Sequence, residues 1–135
     1  MELKIQVFGN GKIGLVNLPK FFDFNDKNLL VDKIPEWLES FKLALLIFNF
    51  TETEFIGSSG VYPFFQYVAK TKTKIGRRRV KIAFIGLCTE YGQLLEGMGI
   101  KNKFLLYDSG VSFAQTAHRA LRLTKDQARN VLEYL

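Results

Sequence analysis

Cysteine is almost absent from this chain of 135 residues, in which Cys88 is the only one. A single cysteine excludes an internal disulfide and a metal site built from several thiolates, and it favours a reducing compartment. No apolar run reaches the roughly 18 residues that a membrane helix needs. The first residues also lack the basic and then apolar pattern of a secretory signal. We therefore expect a soluble protein of the cytoplasm.

The residue groupings typical of catalysis are missing as well. Histidine occurs once, at His118, and with Cys88 it is a candidate for a Cys-His pair. However, Cys88 ends an apolar stretch, where cysteine commonly serves as a small buried residue. The sequence contains no HExxH, no phosphate-binding G-x-x-x-x-G-K-[ST] and no cluster of carboxylates. We expect no enzymatic activity, no metal and no cofactor.

Glycines at 9, 11 and 14 match the dinucleotide-binding pattern G-x-G-x-x-G. That pattern needs a helix after the glycines, because the helix N-terminus binds the pyrophosphate. The next residues, "LVNLPK", are strand-like and are broken by Pro19. The glycines are therefore interpreted as part of a turn.

Acidic residues are missing from one segment, 70–81, which carries much of the positive charge. Removing its seven basic residues from the 19 in the chain leaves 12, against 13 acidic ones, so the net charge of +6 is local. Nucleic-acid bases stack on aromatic side chains, and the segment has none, so direct nucleic-acid binding is not expected. A solvated loop between a helix and a strand is favoured, and docking to an acidic protein or an anionic lipid surface stays open. The basic residues are Lys70, Lys72, Lys74, Arg77, Arg78, Arg79 and Lys81.

Strands are indicated by apolar patterning. Alternating apolar residues on both sides of Asn10 and Gly11 predict a hairpin with a two-residue Asn-Gly turn. The continuous apolar runs 43–50 and 80–87 predict strands buried on both faces. A short strand is predicted at 104–107.

Helical spacing of apolar residues predicts helices after the hairpin and after each later strand. We expect Pro35 in the first turn of the first helix, where its missing N–H matters least. Ser58 or Ser59 is expected to cap the second helix, Thr89 the third, and Thr124 a short last helix. The alternation of helices and buried strands predicts one α/β domain with a mixed sheet.

The order of these motifs resembles one known family. The strand 43–50 leads into "IGSSGVYPFFQYVAK", and "LLEGMGI" and "LLYDSGVSFAQTA" follow. This order resembles the STAS family of anti-sigma factor antagonists over about residues 4–121, most closely over 43–121. The resemblance implies a four- or five-stranded mixed sheet with helices mainly on one side. We expect a STAS-like domain over 1–121 and an extra C-terminal helical extension over 122–135.

The resemblance also implies a function. Members of the family are binding modules without catalytic activity, and the partner-switching members regulate bacterial transcription. Their unphosphorylated form binds an anti-sigma factor that is a serine kinase, which frees the sigma factor. The kinase phosphorylates the first serine of the motif, and a phosphatase restores it. That serine corresponds to Ser58, and Ser59 and Gly60 match the residues after it.

The resemblance places the partner surface around this motif. Phe65 is expected either to add contact area to it or to belong to the core. Two residues depart from the family pattern: Gly57 replaces an Asp, and Pro63 replaces a small or aliphatic residue. A module that has lost the phosphoswitch and acts as a scaffold is therefore the alternative, besides anionic-surface or nucleic-acid binding through 70–81. The partner-binding residues expected are Asp23, Phe55, Gly57, Ser58, Ser59, Gly60, Val61 and Tyr62.

Overall fold

The computed structural model describes residues 4–9, 11–21, 29–54, 61–74, 80–114, 125–133 and 135. The strands in it are β1 (Ile5–Phe8), β2 (Ile13–Asn17), β3 (Leu45–Asn49), β4 (Lys81–Ile85) and β5 (Leu105–Tyr107). The helices are α1 (Leu29–Ser40), α2 (Tyr62–Lys74), α3 (Thr89–Gly97), α4 (described over 110–114) and α5 (Lys125–Glu133), with a 3₁₀ turn at Lys101–Lys103. Within the described ranges, no helix is both long and apolar enough to cross a bilayer.

The five strands form one sheet in chain order. Strand β1 is antiparallel to β2, and the pairs β2–β3, β3–β4 and β4–β5 are parallel. Each parallel connection needs a crossover, and α1, α2 and α3 provide these crossovers. The mixed sheet with helical crossovers confirms the predicted α/β fold class.

The turn of the first hairpin differs from the prediction. Phe8 pairs with Ile13, so four residues connect the strands instead of two. Gly9 and Gly11 have φ of 59° and 84°, which side chains disfavour. The amide N–H groups of Gly11 and Lys12 both donate to the Phe8 carbonyl, and these bonds close the longer turn.

Apolar layers cover both faces of the sheet, because neighbouring residues of a strand point to opposite faces. The first layer lies under α1, α2 and α3 and includes Val16, Leu46, Phe48, Ile82 and Phe84 from the strands. The second includes Ile13, Leu15, Leu45, Ile47, Ala83 and Ile85, together with Phe113 of α4 and Val131 of α5. Among the described residues, α1, α2 and α3 therefore pack on one face, consistent with the prediction of helices mainly on one side, and α4 and α5 pack on the other.

Pro35 lies further inside α1 than the sequence predicted. The helix begins at Leu29, so Pro35 lies well inside it and not in its first turn. The missing N–H leaves the Val31 carbonyl without its usual helical partner. Ile34, Trp37 and Leu38 lie on both sides of Pro35 in sequence and are all buried in the first layer. Their burial favours a continuous helix despite the proline.

The N-cap of α3 lies one residue before the predicted cap, and the helix ends before a glycine with positive φ. The N-cap is Cys88, in extended geometry and without a side-chain cap bond, so the prediction of Thr89 as cap is wrong. At the other end Gly99 has φ of 72°, and its N–H donates to the Glu96 carbonyl while Ile100 N–H donates to Leu95. These two bonds form a Schellman motif, which requires a residue such as glycine after the cap.

The Cys88 position predicts a stabilising substitution. Cys88→Ser should raise the free energy of unfolding by about 0.5 to 1 kcal/mol, because a hydroxyl can accept an N–H of the first turn. Urea unfolding at equilibrium measures this change. Thr89→Ala is the matched control and should change stability little, since Thr89 is exposed in the first turn. A loss of about 1 kcal/mol for Thr89→Ala alone would show that Thr89 is the cap after all.

Candidate functional site

The candidate site lies where the chain leaves the carboxyl end of β3. Residues 50–54 follow this strand, the motif segment 55–60 comes next, and Val61 leads into α2. The motif segment lies outside the described residues. The structure therefore shows how the two ends of the motif segment are held.

Asn49 is the centre of a polar network at the end of β3. It is only 6% exposed, and it pairs in register with Asn17 of β2. Its Nδ2 donates to Asn17 Oδ1 at 2.8 Å, and its Oδ1 accepts the N–H of Thr51 at 3.0 Å and the Thr51 hydroxyl. A buried amide without partners costs about 1 to 3 kcal/mol. The network thus stabilises the turn that starts at Thr51.

A second set of hydrogen bonds ties 50–54 to the chain after β2. The Thr53 hydroxyl donates to the Pro19 carbonyl at 2.9 Å, and Glu54 N–H donates to the Lys20 carbonyl at 2.8 Å. Leu18 N–H donates to the Asn49 carbonyl at 3.0 Å. The two segments therefore run side by side beyond the sheet.

Tyr91 of α3 holds the last described residue before the motif. Its ring is buried against Phe50 and Phe65, with centroids 6.0 and 6.2 Å away, and its hydroxyl donates to the Glu54 carbonyl at 3.4 Å. A buried tyrosine hydroxyl normally finds such a partner. The aromatic core and the site are joined through this side chain.

Gly86, after β4, packs closely against the same turn. It has φ of 72°, and a Cβ added there would lie 2.7 Å from Thr51 Oγ1 and 2.9 Å from Thr51 Cα. Its N–H donates to the Tyr107 carbonyl at 2.9 Å. Only glycine suits both this backbone geometry and this contact.

The far end of the motif is anchored by Val61, which is completely buried. Its carbonyl accepts Phe65 N–H at 3.0 Å, the first bond of α2, so Val61 occupies the N-cap position. The predicted caps Ser58 and Ser59 lie outside the described residues. Pro63 lies in the first turn, where an N–H is not required.

The outer surface beside the site carries aromatic and charged groups. Tyr62 is 40% exposed and Phe21 is 60% exposed, whereas Phe65 is buried and belongs to the core. Lys20 Nζ lies 3.5 Å from a Glu54 carboxylate oxygen and 5.4 Å from the Phe21 ring centroid. Because these groups are exposed, their contacts add little stability.

Some of the site residues predicted from the sequence are among the described residues. Val61 is buried, and Tyr62, Lys70 and Lys81 are exposed. The basic segment is not one loop, since Lys70, Lys72 and Lys74 belong to α2 and Lys81 begins β4. The other predicted residues lie outside the described residues: Asp23, Phe55, Gly57, Ser58, Ser59, Gly60, Arg77, Arg78 and Arg79.

The sequence did not predict several residues of the site. Asn17, Asn49 and Tyr91 support the motif although none lies next to it in the chain. The one local signal is Asn49, a polar residue inside an otherwise apolar run. A buried amide at a strand end commonly serves to bind backbone groups.

The only cysteine lies near this end of the sheet, at the start of α3. Desolvation by partial burial raises the pKa of the Cys88 thiol above its ordinary value, although the nearby backbone N–H groups of Tyr91 and Glu90 act in the opposite direction. The thiol therefore stays protonated at neutral pH, which does not suit a nucleophile. Its proposed pair residue His118 lies outside the described residues. Among the described side chains, no group of His, Cys, Asp and Glu could hold a metal ion.

The fold and the site define an α/β domain that holds a short serine-containing segment between a buried strand and a helix. The sequence model of the STAS domain matches residues 4–113. Because this match covers most of the chain, the protein belongs to the STAS domain family, as its motifs indicated. No protein of curated function matches the chain. A STAS domain is compatible with a regulatory role through protein–protein interaction, and the division at 121/122 stays a prediction.

Two glycines with the same φ give a test of the Thr51 contact. Gly86→Ala should lower the free energy of unfolding by about 2 to 5 kcal/mol, since it adds a clash to the left-handed strain. Gly99→Ala is the control, because no described atom lies within 4 Å of its added Cβ, and it should cost about 1 to 2 kcal/mol. Chemical denaturation measures both. Equal losses would contradict a packing role for Gly86.

Proposed function

We propose that this chain is a regulatory binding protein of the anti-sigma factor antagonist type. It acts by binding and not by catalysis, and phosphorylation of Ser58 changes its partner. The partners are an anti-sigma factor or a related serine kinase, and a phosphatase that reverses the modification. The observation that carries this proposal is the STAS match across 4–113, which includes the motif segment and the two anchors on either side of it.

The anchors favour a switch that works through surface charge. Glu54 is held by Lys20 and Tyr91, and Val61 is held by burial and by the first bond of α2. A phosphate adds about 1.5 to 2 negative charges. Since both ends of the segment are tied to the core, this charge alters the surface that a partner meets while the fold is kept. Tyr62 and Phe21 supply exposed aromatic area for the unphosphorylated complex.

The residue before Ser58, Gly57, is the reason to consider a scaffold without a phosphoswitch as the alternative function. Where the resemblance predicts an Asp before the phosphoserine, this chain has Gly57, which removes a charge next to the acceptor. A scaffold that binds its partner constitutively is the function expected if the kinase no longer recognises the segment.

Phosphorylation in a lysate of the encoding organism, with ATP and mass spectrometry, tests the switch. We expect phosphate on Ser58, its loss in Ser58→Ala and its retention in Ser59→Ala, the matched control one residue away. Gly57→Asp should raise the initial rate if the acid contributes to recognition. Phosphate found only at other positions, or none in the wild type, would contradict the switch.

Ser58→Asp separates the switch from the scaffold. For a switch, the added charge should weaken binding of the kinase captured by the wild-type chain about tenfold or more, because it lies where the surfaces meet. Titration of the purified pair by calorimetry measures the change, and Ser58→Asn provides a neutral control of similar size. Unchanged binding of Ser58→Asp would support the scaffold instead.

A further inference from the structure

A groove of about 220 Å³ lies between the exposed side of α2 and the chain that follows α3. It begins at Tyr62, the first residue of α2, and so directly follows the anchor Val61. Its lining residues are Tyr62, Gln66, Ala69, Lys70, Met98, Ile100 and Lys103.

The groove has an apolar floor and a polar rim. Ala69 is buried, and Met98 and Ile100 are partly buried and pack against the first core layer. Gln66, Lys70 and Lys103 are exposed around them. Small concave sites of this kind take an apolar side chain on the floor and use the rim for orientation.

The charge of the rim has one sign. Of the described residues that line the groove, two are lysines and none is acidic. Lys101, two residues before Lys103, is also exposed, but it lines the neighbouring concavity together with the exposed Glu96. Like charges gathered around a concave surface raise the local concentration of an oppositely charged partner.

We propose that this groove binds an acidic segment of the protein partner. The segment places an apolar side chain on Ala69, Met98 and Ile100 and directs carboxylates toward Lys70 and Lys103. This inference rests on the proposed function in taking the partner to be a protein, and it adds the chemistry of that partner. A nucleic-acid backbone matches the charge but has no aliphatic group for the floor, so a peptide fits better.

The test uses a short fluorescein-labelled amphipathic peptide of Glu and Leu, and the same peptide with Gln in place of Glu. Fluorescence anisotropy should show saturable binding of the Glu peptide, weakening several-fold as salt rises, because the pairs on the rim are exposed. In ¹H–¹⁵N spectra the amide signals of Gln66, Lys70 and Ile100 should shift. The Gln peptide should bind about tenfold more weakly.

Charge substitutions locate the binding. Lys70→Glu and Gln66→Glu should each weaken the peptide about fivefold or more. Lys42→Glu, at an exposed lysine outside the groove, is the matched control and should have little effect. Equal weakening by Lys42→Glu, no saturation by about 1 mM peptide, or equal binding of the Gln peptide would overturn the proposal.

Heparin, a polyanion without aliphatic side chains, tests the alternative of nucleic-acid binding. If heparin binds more tightly than the peptide and shifts the same amide signals, the peptide proposal would be overturned. Phosphorylation of Ser58 is measured in a separate experiment. If Ser58 is not phosphorylated but Lys70→Glu still weakens peptide binding, the phosphoswitch is contradicted and the binding groove is supported. If Ser58 is phosphorylated and the groove variants bind the peptide normally, the groove is contradicted and the phosphoswitch is supported.

Discussion

Strand β3 lies at the centre of the sheet, all five of its residues are buried, and its four apolar residues alternate between the two apolar layers. A slip of one residue in its pairing would exchange the two layers, so the burial determines the register strongly. This register places Asn49 opposite Asn17 and Ile85. The polar network that starts segment 50–54 is therefore a consequence of core packing, and the position of the motif depends on it.

The support of the motif combines two kinds of interaction with different roles. The first apolar layer contributes stability through burial, since each large buried apolar side chain contributes about 1.5 to 3 kcal/mol. The hydrogen bonds of Asn49, Thr53 and Tyr91 contribute about 1 kcal/mol each, but they are directional. They determine where the chain points after it leaves the sheet. Together these interactions hold Glu54 and Val61, the described residues on either side of the motif segment, against the core.

The sequence predicted the elements whose signals are local. Continuous apolar runs identified β3 and β4, and alternation identified the hairpin, because burial on one or two faces leaves a direct pattern. The positions where helices begin were predicted less well. Pro35 lies inside α1 and not in its first turn, and the N-cap of α3 is Cys88 and not Thr89. The supports of the site were not predicted, because bonds such as Thr53 to Pro19 join residues 34 positions apart. Such contacts depend on strand order, which periodicity does not contain.

The groove and the motif meet at Tyr62, and this juxtaposition connects the two proposals physically. Ser58 lies four residues before Tyr62, so their Cα atoms are at most about 14 Å apart. Charges interact over roughly 8 to 10 Å at physiological salt, so a phosphate on Ser58 would act mainly on partner groups at the Tyr62 end of the groove, about two helical turns before Lys70. An aspartate at position 57 would exert a permanent repulsion of the same sign. For an acidic partner, the uncharged Gly57 would avoid this repulsion in the unphosphorylated form, whether the chain acts as a switch or as a scaffold.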